Sequence, residues 1–106
     1  MDLSIVIPCL NEEETIEICV NKSFKIINKL NILGEVIVAD NGSIDNSKKI
    51  SLNAGAKVVN VKQKGYGSAI RNGIREASGK YVIIADADNS YDFLEIEKFY
   101  NKLIQG

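Results

Sequence analysis

The sequence predicts an α/β fold of three layers, with helices on both faces of an open, mostly parallel sheet of four strands ordered 3-2-1-4. Three observations carry this. Four short runs (3–7, 35–39, 57–61 and 81–85) are rich in Val and Ile without strict apolar–polar alternation, as expected of strands covered on both faces. Each run is followed by a stretch of helical periodicity, and the connections are short. Alternating β and α elements joined by right-handed crossovers put helices on both sides of a parallel sheet. The 106 residues suit one domain, 1–106.

The elements follow in order. After the first strand, Asn11 is placed to cap a helix, with Glu14 three residues on to return the capping-box bond. Ile16, Val20, Phe24, Ile27 and Leu30 then share one face, and Gly34 marks the exit. A shorter helix is expected over 46–53, stopping near Gly55, and a third over 67–77, ending at Gly79. The third carries a small-residue face of Ala69, Gly73 and Ala77, which allows close approach to the sheet. Asp92, with Glu95, is positioned to cap the fourth, whose buried stripe is Ile96, Phe99, Tyr100 and Leu103.

Composition removes several function classes. The net charge of -1 gives no electrostatic case for nucleic acid or an anionic membrane surface. The absence of histidine removes Cys/His zinc sites, a Ser-His-Asp triad and a Cys-His pair. Cys9 and Cys19, after a strand and within a helix, read as reduced, partly buried thiols of a cytoplasmic chain. No apolar run approaches the ~20 residues that span a bilayer.

Ligands of such sheets bind beyond the carboxyl ends of the strands, where the strand order reverses. The unusual residues gather there: Pro8-Cys9-Leu10-Asn11-Glu12 after strand 1, Asp40-Asn41-Gly42-Ser43 after strand 2, Lys62 to Gly67 after strand 3, and Asp86-Ala87-Asp88 after strand 4. Two carboxylates two residues apart at a strand end can face one point. A hard divalent cation takes such oxygen ligands, completing its shell with phosphate and water. Read alone, the short pair is more readily two solvated acids capping a turn. Asp40 to Ser43 is likewise either a turn with a helix cap or a set of acceptors for a base or ribose. Gly65-Tyr66-Gly67 with Arg71 offers N–H groups and a cation to an anion, or is solvated surface. The glycine spacing misses G-x-G-x-x-G, because Ile70 stands at the third position, and no P-loop pattern is present.

In order, VIPCLNEEETI, VIVADNGSIDNS, KGYGSAIRNGI and GKYVIIADADNSYDF resemble the signature of glycosyltransferase family 2, most closely its dolichyl- and polyprenyl-phosphate sugar transferase branch. The resemblance implies the Rossmann-like, nucleotide-sugar-binding half of a GT-A fold. By it, Pro8, Leu10, Asn11 and Glu12 match the segment beside the nucleotide, and Asp40 matches the acid that contacts the base. Asn41 stands where many relatives carry a second Asp. Lys64, Gly67 and Arg71 match a nucleotide-side element. Asp86, Ala87 and Asp88 match the D-x-D motif that holds Mg²⁺ or Mn²⁺ and the donor diphosphate, with Asp88 as the catalytic residue.

The implied reaction is inverting transfer from a UDP- or GDP-sugar to a lipid-phosphate or glycan acceptor. A lipid phosphate is already ionised near neutral pH, its second pKa being about 6, and needs no general base. Relatives continue into an acceptor-binding half and often membrane segments, so acceptor recognition is expected outside these residues, in the full-length case at the cytoplasmic face of a membrane. From another class, the alternative is a non-catalytic module that binds nucleotide or a protein partner. A nucleotidyltransferase ranks below both, since its glycine-rich basic loop is absent after strand 1. An exposed fourth-strand edge predicts pairing into a homo-oligomer.

Overall fold

The computed structural model describes residues 1–90 and 92–106. Strands β1 (Leu3–Cys9), β2 (Gly34–Asp40), β3 (Lys57–Asn60) and β4 (Tyr81–Ile84) alternate with helices α1 (Ile16–Leu30), α2 (Ser47–Asn53), α3 (Tyr66–Arg75) and α4 (Leu94–Gln105). The sheet is parallel with order β3-β2-β1-β4, as the sequence predicts. β1 and β2 run further than their apolar runs because they pair with each other to the end, Pro8 with Ala39 and Cys9 with Asp40. That central pairing carries the backbone onto the carboxyl rim of the sheet.

Alternation along β1 divides the core. Leu3, Ile5 and Ile7 face α1 and α4, meeting Ile16, Val20, Ile27, Ile96 and Tyr100; Ile50 and Ala54 of α2 pack against the same cluster. Val6, with Ile37 and Ala39 of β2, faces α3 through Ala69. The small-residue face of α3 does what its composition predicts: a Cβ on Gly73 would lie 2.4 Å from Val6 Cγ1. Helix and sheet therefore touch at a distance only glycine permits.

Four local expectations are corrected. Asn11 does not cap α1, because it adopts a left-handed conformation (φ 54°) and bonds across to the β2–α2 loop. A turn over 12–15 intervenes, in which the Thr15 and Ile16 N–H groups both donate to the Glu12 carbonyl, and α1 begins at Ile16. At the other end the left-handed exit is Asn31 (φ 55°), while Gly34 opens β2 with no room for a Cβ against Ile27. In α4, Asp92 does accept from the Leu94 N–H at 3.0 Å, but Glu95 pairs with Lys98 instead of returning a bond. Ile96 and Tyr100 are buried, whereas Phe99 and Leu103 are 51% and 41% exposed. They overhang the outer edge of β4, where among the described residues no further strand lies beneath them. Among the described residues no helix is long and apolar enough to cross a membrane.

Candidate functional site

The four strand exits converge on one cleft of about 790 Å³. Pro8, Leu10, Asn11 and Glu12 line it from β1, Asp40 and Asn41 from β2, Lys64 from the β3–α3 loop, and Asp86, Ala87 and Asp88 from β4. Gly67 and Arg71 are not among the lining residues. They lie within α3, where a Cβ on Gly67 would meet Arg71 Nη1 at 3.4 Å. The sequence reading passed over Lys48 and did not single out Lys62 and Tyr66, all of which line the cleft. Lys48 was findable, since it sits in the first turn of a helix that rises from a rim loop.

Side-chain bonds lock the rim loops together. The Asn11 N–H donates to Ser43 Oγ at 2.9 Å, and Asn11 Oδ1 accepts from the Ile44 N–H at 2.9 Å. The Glu12 N–H donates to Ser47 Oγ at 2.9 Å, so the β1 and β2 exits are closed on each other. Asn41 reaches the opposite way: its Oδ1 accepts from the Gly65 N–H at 2.8 Å and its Nδ2 donates to the Gln63 carbonyl at 2.9 Å. On the far side, the Thr15 hydroxyl donates to the Ala87 carbonyl at 2.6 Å and Lys22 Nζ to Asn89 Oδ1 at 2.9 Å.

The two carboxylate positions differ in kind. Asp40 is fully buried, and its carboxylate is engaged by its own turn: Oδ2 accepts from the Gly42 and Ser43 N–H groups at 3.1 and 2.8 Å, and Oδ1 from the Ser43 hydroxyl. Lys48 Nζ stands 3.9 Å from Oδ2. A buried carboxylate of this kind is stable only because donors surround it. Asp86 is half-buried and Asp88 exposed. Asp86 Oδ1 has the Tyr66 hydroxyl at 3.4 Å, across the cleft. Asp88 Oδ1 accepts from the Ser90 hydroxyl and N–H, which holds its carboxyl below the usual carboxylate range and leaves Oδ2 outside that pair of bonds. The Tyr66 phenol is pushed up by burial and by the Asp86 charge.

Charge is thus sorted along the cleft. Asp86 and Asp88 stand at the β4 end and Lys62 and Lys64 at the β3 end, while Lys48 faces the buried Asp40 and Glu12 lines the β1 exit between them. Among the described residues no group of three or more acidic or Cys side chains converges as a self-sufficient metal cage. Two carboxylates fit a cation whose remaining ligands are phosphate and water oxygens. Residues 4–106 match the family model described as Glycosyl transferase family 2. The chain belongs to glycosyltransferase family 2.

Similarity within the family runs along nearly the whole chain. It is 38% identical over 104 residues to the low-salt glycan biosynthesis hexosyltransferase Agl6 of Haloferax volcanii, covering 98% of this chain and 25% of that protein. It is 32% identical over 109 residues to human (Homo sapiens) dolichyl-phosphate beta-glucosyltransferase, covering 91% and 34%. Its fold superposes, with a TM-score of 0.84 and 30% identity, on Mycobacterium tuberculosis glucosyl-3-phosphoglycerate synthase in complex with Mn²⁺, UDP and glucosyl-3-phosphoglycerate, covering 99% of this chain and 40% of that one. The chain therefore corresponds to well under half the length of each of these proteins, and the sheet order β3-β2-β1-β4 matches the GT-A fold of its solved structural neighbours.

Proposed function

We propose that this domain binds the donor of a glycosyl transfer, a UDP- or GDP-sugar, together with Mn²⁺ or Mg²⁺. The observation that carries the reading is one cleft with the Asp86 and Asp88 carboxylates at its β4 end and Lys62 and Lys64 at its β3 end. A nucleoside diphosphate bridging a cation to basic side chains needs both. The Mn²⁺ and UDP in the complex of glucosyl-3-phosphoglycerate synthase support this choice of ligands.

In this reading Asp86 and Asp88 hold the cation through the carboxylate oxygens that face the cleft. The cation, when bound, neutralises the diphosphate and stabilises the charge that develops as it leaves. Lys62 and Lys64 supply further positive charge for the phosphates. Pro8, Leu10 and Asn11 shape the wall against which base and ribose lie. Asp40 works mainly from behind, fixing the turn that presents Asn41 and Gly42.

Transfer itself, with inversion and to a lipid phosphate or glycan, needs an acceptor site. We place that site outside residues 1–106, as the 25% coverage of the hexosyltransferase and the 34% coverage of the dolichyl-phosphate enzyme suggest. A second reading is a domain that binds nucleotide and transfers nothing by itself. Calorimetric titration with UDP and GDP, with Mn²⁺ or with EDTA, tests the binding claim. A sugar-release assay with a polyprenyl phosphate acceptor then separates the two readings.

A further inference from the structure

Asn41, at the β2 exit, reaches the β1 exit through its backbone and the β3 exit through its side chain. Its N–H donates to the Cys9 carbonyl at 2.9 Å, which anchors it to β1 beyond the last register pair. Its side-chain Oδ1 accepts from the Gly65 N–H at 2.8 Å, while Nδ2 donates to the Gln63 carbonyl at 2.9 Å and the Val61 carbonyl at 3.4 Å. Gly65 has φ 120°, a conformation open to glycine, and its carbonyl accepts from the Ala69 N–H to start α3. The loop so held presents Lys62, Lys64 and Tyr66 to the cleft.

The chemistry of this clasp demands an amide. One atom must accept from an N–H while the other donates to carbonyl oxygens, which an amide does at any pH and a carboxyl only when protonated. An ionised carboxylate keeps the Gly65 bond but turns a second anionic oxygen on the Gln63 carbonyl, leaving both unsatisfied. We propose that Asn41 is a positioning residue: it acts on the donor through the Lys62–Gly65 loop, setting the basic end of the cleft for the diphosphate. This assignment rests on the cleft being a nucleoside-diphosphate site.

Two variants and two readouts test it. Asn41→Leu removes the amide without adding charge, and Asn41→Asp keeps the size and adds charge. Affinity for UDP with Mn²⁺, or for GDP where that is the ligand bound, is expected to fall roughly tenfold in both near neutral pH, as for loss of one or two hydrogen bonds that hold the loop. As pH falls to about 5 and below, the introduced carboxyl takes up a proton and regains a donor. The ratio of wild-type to Asn41→Asp affinity then narrows, whereas the ratio for Asn41→Leu stays constant. Hydrogen exchange at Gly65 in the absence of ligand reads the clasp itself. Exchange faster by about tenfold or more in Asn41→Leu, with β1 and β2 amides unchanged, is the expected result.

The proposal is overturned if Asn41→Leu binds within twofold of wild type, or if it loses affinity while Gly65 exchange is unaltered. The second result would mean that Asn41 touches the ligand directly. If the wild-type chain binds neither nucleotide, the functional reading fails by itself, and exchange at Gly65 still decides whether Asn41 holds the loop.

Discussion

The Thr15 hydroxyl donates a 2.6 Å hydrogen bond to the carbonyl of Ala87, the residue between the two cleft acids Asp86 and Asp88. A side chain just ahead of α1 thereby fixes the middle of the acidic segment, with Lys22 bonded to Asn89 about two turns further along the helix. Replacing Thr15 by Val keeps the shape and removes the donor. Stability is expected to fall by about 1 kcal/mol, the usual net worth of such a bond, and Mn²⁺-dependent nucleotide binding is expected to weaken with it. Urea unfolding and a metal titration read the two effects; an unchanged titration would show that the acids are held without Thr15.

Contact between α3 and β1 sets a second expectation. A methyl at Gly73 would lie 2.4 Å from Cγ1 of Val6, which is fully buried. Gly73→Ala should therefore cost about 1–3 kcal/mol, as overpacking of a close-packed core does. Adding Val6→Ala makes room, so the double variant should lose less than the sum of the single losses. Strict additivity in unfolding experiments would place the strain elsewhere.

The fully buried Asp40 and the half-buried Asp86 should respond differently. Asp40→Asn gives up an acceptor among the Gly42 and Ser43 donors and the charge beside Lys48. A loss of about 1–3 kcal/mol in the ligand-free protein is expected, as for a buried donor left unpaired. Asp86→Asn should leave stability within about 0.5 kcal/mol, in line with surface substitutions, and should lower affinity for Mn²⁺ with nucleotide. Equal stability losses in the two variants would contradict the division of labour between them.

What sequence reading could reach and what it could not divide along the range of the interactions. Strand order, layer arrangement and the rim position of Asp86 and Asp88 follow from apolar runs and element alternation, which are local. Asn11 with Glu14 has the local pattern of a cap, yet its partners are Ser43 and Ile44 in another loop. Those long-range bonds prevail and push the start of α1 to Ile16. Asp40-Asn41-Gly42-Ser43 announces a turn by composition, but the inward direction of the Asp40 carboxyl depends on Ser43 and Lys48 around it. Phe99 and Leu103 have the spacing of a buried stripe, and their exposure reflects where the sheet stops, which helical periodicity does not encode.

The thiols give a pH prediction. Burial pushes the Cys9 thiol up to about 11, with the Asp40 charge adding to it and the Ser47 hydrogen bond opposing it. Cys19 is raised as well, chiefly by burial. The folded state thus holds these protons more tightly than the unfolded chain, whose thiols have the ordinary value of 9.0. The associated stability is complete below that value and is lost as pH rises toward about 11. Unfolding midpoints should fall over that interval, and less steeply in Cys9→Ala, with the tyrosines common to both chains. Near neutral pH a thiol reagent should leave the native protein unmodified and label both cysteines once it unfolds.

The most direct test is a thermal-shift titration of this chain with UDP and GDP in Mn²⁺ or EDTA, run beside Asp88→Ala. Ligand at about 100 times Kd should add about 2.7 kcal/mol to the folded state. A rise in Tm that needs the metal, appears with one base in preference to the other and is lost in Asp88→Ala is the predicted result. A Tm unmoved by either nucleotide, or a rise that persists in EDTA and in Asp88→Ala, would contradict a metal-dependent donor site in this cleft.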